Sequence, residues 1–264
     1  MIEAGPPVAT PEHAAADGPM AGAGAVDASS AVEFMREALI KISEDEIGAV
    51  AELLSQKRSL LAPALEADAL RHANAAAVRP ILARVFATRR RSDEILVTVG
   101  APALSNAIGE LVHGSEPLAT RFQRFDAALP GLDGPIRHEL AGECLHFADP
   151  ERHCLWARWM WDPVARTGSL PLLMVEGFDF GGPDAGAVYL RVGAATSAVV
   201  ATADELGFRR MRANPFAVDV YLAAIYGIYL YTITRLRMTQ EFNRVIPQLP
   251  DLVRRLLGVY RLEA

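Results

Sequence analysis

Three features of this sequence predict a mainly α-helical protein: a helical array with one small β-hairpin near residues 155–175, behind a disordered N-terminal tail. Apolar residues recur at helical spacing over most of 32–148, the spacing shortens to alternation after residue 154, and residues 1–31 are nearly all Ala, Gly, Pro and small polar types. With 264 residues, 51% hydrophobic and 22% charged, the chain has the material for a sizeable core. A single helical domain over 32–264 is expected, and an internal boundary would fall at 176–186.

The elements follow in order. Residues 1–31 lack the apolar surface needed to offset the entropy of ordering, about 1–2 kcal/mol per residue. Ser29 and Ser30 then precede AVEFMREALIKI, and Ser43 precedes EDEIGAVAELLSQKRSLL with Glu46 three residues on, the spacing of a capping box. Helical spacing returns in VRPILARVFATRRR, ALSNAIGELVH and PLATRFQRFDAAL, separated by the turn signals VGAP, HGSEP and LPGLDGP.

After residue 154 the alternation in CLWARWMWDPVARTGSLPLLMVE would put Leu155, Ala157, Trp159 and Trp161 on one strand face, and Trp156, Arg158 and Met160 on the other. Pro171 makes the second strand an edge or only an extended segment. AVYLRVGAATSAVVATADELGF then reads as a helix, Pro215 opens a long one in FAVDVYLAAIYGIYLYTITRLRMTQEF, and PDLVRRLLGVYRL closes the chain.

Charge narrows the function classes. The formal net charge is −6, and residues 1–70 carry twelve acids against Arg36, Lys41, Lys57 and Arg58, which leaves +2 for the remainder. Nucleic acid is therefore not the expected partner, since phosphate binding usually shows as a basic excess. Two cysteines make no disulfide framework and the first residues carry no secretory pattern, so a cytoplasmic setting is expected.

The densest run of chemically capable residues is 138–161. Cys144, His146, His153 and Cys154 are residue types that bind zinc when four converge, but positions 144 and 146 point about 200° apart on a helix, and no C-x2-C pair occurs. No cofactor is expected, with zinc on these four residues as the alternative. Arg152 and His153 beside Cys154 also raise a thiol-nucleophile reading.

Trp156, Trp159 and Trp161, with Arg152, Arg158 and Arg166, suggest a protein-contact patch, because Trp and Arg dominate binding hot spots. That reading requires indole surface to be accessible. The expected function is thus a non-enzymatic accessory or regulatory protein that binds another protein through this hairpin; a metal- or thiol-dependent enzyme is one rival.

A second rival comes from Leu129, Pro130, Gly131 and Leu132, which resemble the turn of a helix-hairpin-helix element, where backbone amides at a helix start meet phosphate. Asp133 departs from that pattern where a glycine is expected, and would repel phosphate. Glu176, Asp179 and Asp184 among Gly177, Gly181, Gly182 and Gly186 lack the signature of a phosphate loop and read as solvated loop acids.

Residues 216–234 approach the ~20 apolar residues of a membrane span. Asp219 and four tyrosines favour a buried central helix instead, with Asp219 requiring a partner such as an arginine.

Overall fold

The computed structural model describes residues 23–205, 214–237, 247–260 and 262. Among the described residues are eleven α-helices: α1 Ala28–Lys41, α2 Glu44–Leu65, α3 Ala67–Arg71, α4 Ala75–Arg84, α5 Ser92–Val99, α6 Ala101–His113, α7 Leu118–Ala128, α8 Gly134–Ala148, α9 Ala185–Glu205, α10 Ala217–Arg237 and α11 Leu249–Leu256. The mainly helical expectation holds.

Local signals account for several boundaries. Ser43 and Glu46 form the reciprocal capping box at the start of α2, with the Glu46 backbone N–H donating to Ser43 Oγ at 3.2 Å and the Ser43 N–H to Glu46 Oε2 at 2.8 Å. At α1 the cap is Asp27 rather than the two serines; its Oδ1 accepts from the Ser29 and Ser30 backbones at 3.0 and 3.3 Å. The expected tail lies outside the described residues over 1–22. Its last stretch is ordered: Asp27 N–H donates to the Leu173 carbonyl at 2.8 Å, Val175 N–H donates to the Ala25 carbonyl at 3.0 Å, and Ala25, Val26 and Ala31 are buried.

Two helices form the interior. In α8 every residue from Glu139 to Phe147 is buried, and α2, α6 and α7 pack around it. At the other axis, α10 contacts α1, α2, α9 and α11, and residues 216–225 are buried. Such all-round burial is what an apolar-on-every-side helix requires. Buried apolar side chains from Ala25 to Val259 join in one cluster. By length and composition α9 could cross a membrane, and half of its apolar window is buried within the fold.

The β-hairpin is corrected. Among the described residues there is no strand, only isolated antiparallel bridges at Asp162 with Thr167 and Val26 with Met174. The Ala157 carbonyl instead accepts from both Met160 N at 2.9 Å and Trp161 N at 3.2 Å, so 157–161 coils as a helical turn. Pro171 sits in a 3-10 turn at Leu170–Leu172. Alternation predicts a strand only where a neighbouring strand supplies ladder bonds; here helices surround the segment, and the backbone satisfies itself through turns.

Candidate functional site

The stretch 149–184 between α8 and α9 contains no regular element beyond that 3-10 turn, yet aromatic packing orders it. Trp156, Trp159 and Trp161 are 2%, 7% and 7% exposed, so the expectation of accessible indoles is corrected. Trp156 stacks on His138 with ring centres 4.9 Å apart and donates its Nε1–H to the Trp161 carbonyl at 3.0 Å; Trp161 stacks on Phe180 at 4.5 Å. Gly142 of α8 lies directly against the Trp156 backbone. The sequence pattern missed this because each indole packs against a residue distant in the chain.

The three arginines behave differently. Arg152, Arg158 and Arg166 are exposed. Between Asp162 and Thr167 the chain reverses: Asp162 Oδ1 accepts from Val164 N and Ala165 N at 2.9 and 3.0 Å, and Arg166 N donates to the Asp162 carbonyl at 2.7 Å. Closing this turn holds Arg166 at φ +54°, in the left-handed region that disfavours side chains with a Cβ. Val164 at the tip is 84% exposed.

Cys144, His146, His153 and Cys154 do not come together as a ligand set; among the described residues no group of three or more His, Cys, Asp or Glu could hold a metal. Both cysteines are free and buried. Burial raises the pKa of both thiols, that of Cys154 to about 12, which opposes the thiolate that nucleophilic chemistry needs. His153, pushed down to about 4 chiefly by burial, stays neutral near pH 7.

The partner of buried Asp219 is His146, not an arginine. His146 Nε2 lies 2.8 Å from Asp219 Oδ2 and Nδ1 lies 2.7 Å from the His153 carbonyl, which can only accept. Nδ1 therefore carries hydrogen, and a second proton is shared with Asp219. Burial acts against charge on the imidazole, but the Asp219 carboxylate, its hydrogen bond, the His153 carbonyl and Glu143 outweigh it and raise the pKa.

His146 belongs to a stripe that the sequence analysis did not single out. Glu139, Glu143 and His146 stand at i, i+4 and i+7 on α8, one helix face, and each meets a partner from a distant element. Glu143 Oε2 pairs with Lys57 Nζ of α2 at 2.6 Å, with side chains 7% and 3% exposed, while Oε1 accepts from Phe86 N at 2.9 Å. Glu139 Oε1 accepts from Arg158 Nε at 2.7 Å and Arg158 N at 3.2 Å. Burial is the largest influence on Glu139 and raises its pKa, against the lowering effect of Arg158. The readable signal was E-x3-E-x2-H over 139–146, where every other residue is apolar or glycine, together with Lys57 as one of only two lysines.

Lys57, Glu139 and Glu143 line a small pocket with room for about one water molecule, with Leu54, Phe86, Phe147 and Trp159 among its apolar walls. A buried carboxylate whose pKa is raised, as that of Glu139 is, marks a candidate functional site in general.

The turn at 129–132, which resembles a helix-hairpin-helix turn in sequence, joins α7 to α8; the one arginine in the first turns of α8, Arg137, donates from Nε to Asp126 at 2.7 Å, and its Nη1 donates to the Leu132 carbonyl. The Asp133 carboxylate stands at the α8 start, 3.6 Å from Arg91. In the glycine-rich run, Asp179 and Asp184 accept from the backbones of Gly181 and Ala187, which is turn formation. Comparison with protein-family models, with curated proteins and with solved structures finds no match to this chain.

Proposed function

We propose that this is a non-enzymatic accessory protein that binds another protein through the outer face of 149–168. The reading differs from the sequence expectation in one respect: the indoles hold the segment and the guanidinium groups make the contact. One observation carries it, the strained left-handed backbone at Arg166 beside the exposed tip of Val164. Strain kept at an exposed turn, where glycine would relieve it, suggests that the side chain is needed. Long ordered segments without regular structure commonly carry function, and Arg152 and Arg158 are exposed in the same segment. Two free, buried thiols suit the reducing, cytoplasmic compartment included in this proposal.

The test is retention of a native partner by the wild type and by an Arg71→Glu control, against loss in a Val164→Asp/Arg166→Glu variant of unchanged melting temperature. Equal retention by the double variant would remove the proposal. Arg166→Gly separates strain from contact: stability should hold or rise by up to about 1 kcal/mol while partner retention falls.

A further inference from the structure

The buried pair of Lys57 and Glu143 also fixes two turns at the surface. Glu143 Oε1 accepts from the Phe86 backbone N–H at 2.9 Å, and Lys57 Nζ donates to the Leu257 carbonyl at 3.3 Å. The first bond anchors the turn 85–91, in which buried Thr88 donates from Oγ1 to the Leu82 carbonyl at 2.7 Å. The second anchors the end of α11. There Gly258, at φ +71°, turns the chain back, and the Val259 and Tyr260 N–H groups donate to the Arg254 carbonyl at 2.9 and 3.2 Å. The two turns touch, since a Cβ on Gly258 would stand 3.5 Å from Phe86 Cβ.

Each turn presents the same pair of groups. Phe86 is 37% exposed with the Arg89 guanidinium 4.6 Å from its ring centre, and Tyr260 is 40% exposed with that of Arg255 at 4.1 Å. A ring face attracts and orders a guanidinium, by about 0.5–1 kcal/mol at exposed sites. The charge here has one sign: residues 69–92 hold six arginines and no acid, and only Arg71, Arg79 and Arg91 of the six pair with acids just outside, Asp68, Asp93 and Glu94. Arg90 and Arg255 are exposed, and among the described residues neither meets a carboxylate. A costly buried ion pair thus holds rigid a surface made of arginine and aromatic rings, residue types that dominate binding hot spots.

We propose that this surface, formed by the turn 85–91 and the end of α11, is a second protein-contact site, separate from 149–168, and that it takes an acidic peptide segment whose carboxylates pair with Arg89, Arg90 and Arg255. The planar fork of a guanidinium matches a carboxylate, and a ring behind it reduces the freedom lost on pairing. Nucleic acid fits less well. A base needs an open ring face to stack on, whereas guanidinium groups already lie on these rings, and the chain carries a net charge of −6.

Fluorescence anisotropy of labelled octaglutamate with the full chain tests the assignment. Octaglutamate should bind, and more weakly as salt rises. Arg255→Glu and Arg90→Glu should each weaken binding about tenfold, the worth of one charge-assisted hydrogen bond. Tyr260→Leu keeps every charge but removes the ring beside Arg255, and should weaken binding about threefold. Arg71→Glu and Val164→Asp/Arg166→Glu should bind octaglutamate as the wild type does, so that this surface and the 149–168 face stand or fall separately. No binding, unchanged affinity in Arg255→Glu, Arg90→Glu or Tyr260→Leu, or loss of binding in either of the last two variants would each overturn the proposal. Tighter binding of octathymidylate or of phosphatidylserine vesicles, lost in Arg255→Glu, would overturn it in favour of nucleic acid or a membrane.

Discussion

Lys57 illustrates how this protein treats charge that it encloses. Its ammonium touches Glu143, the Leu257 carbonyl and the Phe147 ring, so one side chain ties α2, α8 and the end of α11 together. Removing one member of a buried pair leaves the other uncompensated, while removing both is often nearly neutral. Lys57→Met should therefore destabilise by about 3–5 kcal/mol in urea unfolding, and Lys57→Met/Glu143→Gln should recover at least half of that loss. Equal losses in the two variants would show that packing of the lysine stem, not its charge, is what matters. The His146 pair makes a pH prediction. Its pKa is raised in the fold, so its stabilisation is complete below the unfolded value of about 6.5 and is lost as pH rises through the folded value. The stability difference between wild type and His146→Gln should be largest at or below about pH 6.5 and shrink towards pH 9. A difference that grows with pH would contradict the assignment. His153 acts with the opposite sign: its folded pKa of about 4 means that its contribution is lost as pH falls from about 6.5 to about 4.

The central helix α8 is buried along its length, and so depends on what its neighbours offer each polar group. Close approach matters as much as polarity. A Cβ added at Gly142 would lie 2.9 Å from the Trp156 carbonyl oxygen and 3.0 Å from its nitrogen, both backbone atoms that cannot swing aside. Gly142→Ala should therefore lose about 1–3 kcal/mol of stability and alter tryptophan fluorescence, although alanine normally favours a helix. An unchanged melting temperature would mean that 154–161 can slide along α8. The capping box of α2 was legible because all its parts lie within four residues. The segment after residue 154 was misread for the converse reason. The same alternation of large and small side chains can feed a strand or a coiled turn, and the choice lies with helices that are remote in sequence, α8, α9 and α10.

Across the whole molecule, burial of both thiols links their chemistry to cooperative unfolding. Cys144 and Cys154 should react with a disulfide reagent at pH 8 only as the fold opens, at equal rates that follow the unfolding seen by circular dichroism. Fast labelling of either cysteine would indicate local opening around 144–154. The candidate site divides along the same line as the fold. Arg152, Arg158 and Arg166 were identifiable from composition, since charge in a turn-rich stretch stays in water. Glu139, Glu143 and Lys57 were not singled out, nor was the partner of Asp219, because a paired ion in the interior and a free ion at the surface look alike in one dimension. Helical architecture, the α2 cap and the approximate course of most helices follow from local spacing, because 3.6-residue periodicity and caps are satisfied within a few residues of chain. The inward turn of three indoles, the pairing of Asp219 with His146 and the small pocket lined by two carboxylates and one lysine arise from contacts spanning up to 200 positions, as between Lys57 and Leu257. Burial is a property of the assembled chain, and it alone settles whether an aromatic or ionisable group faces solvent or the interior.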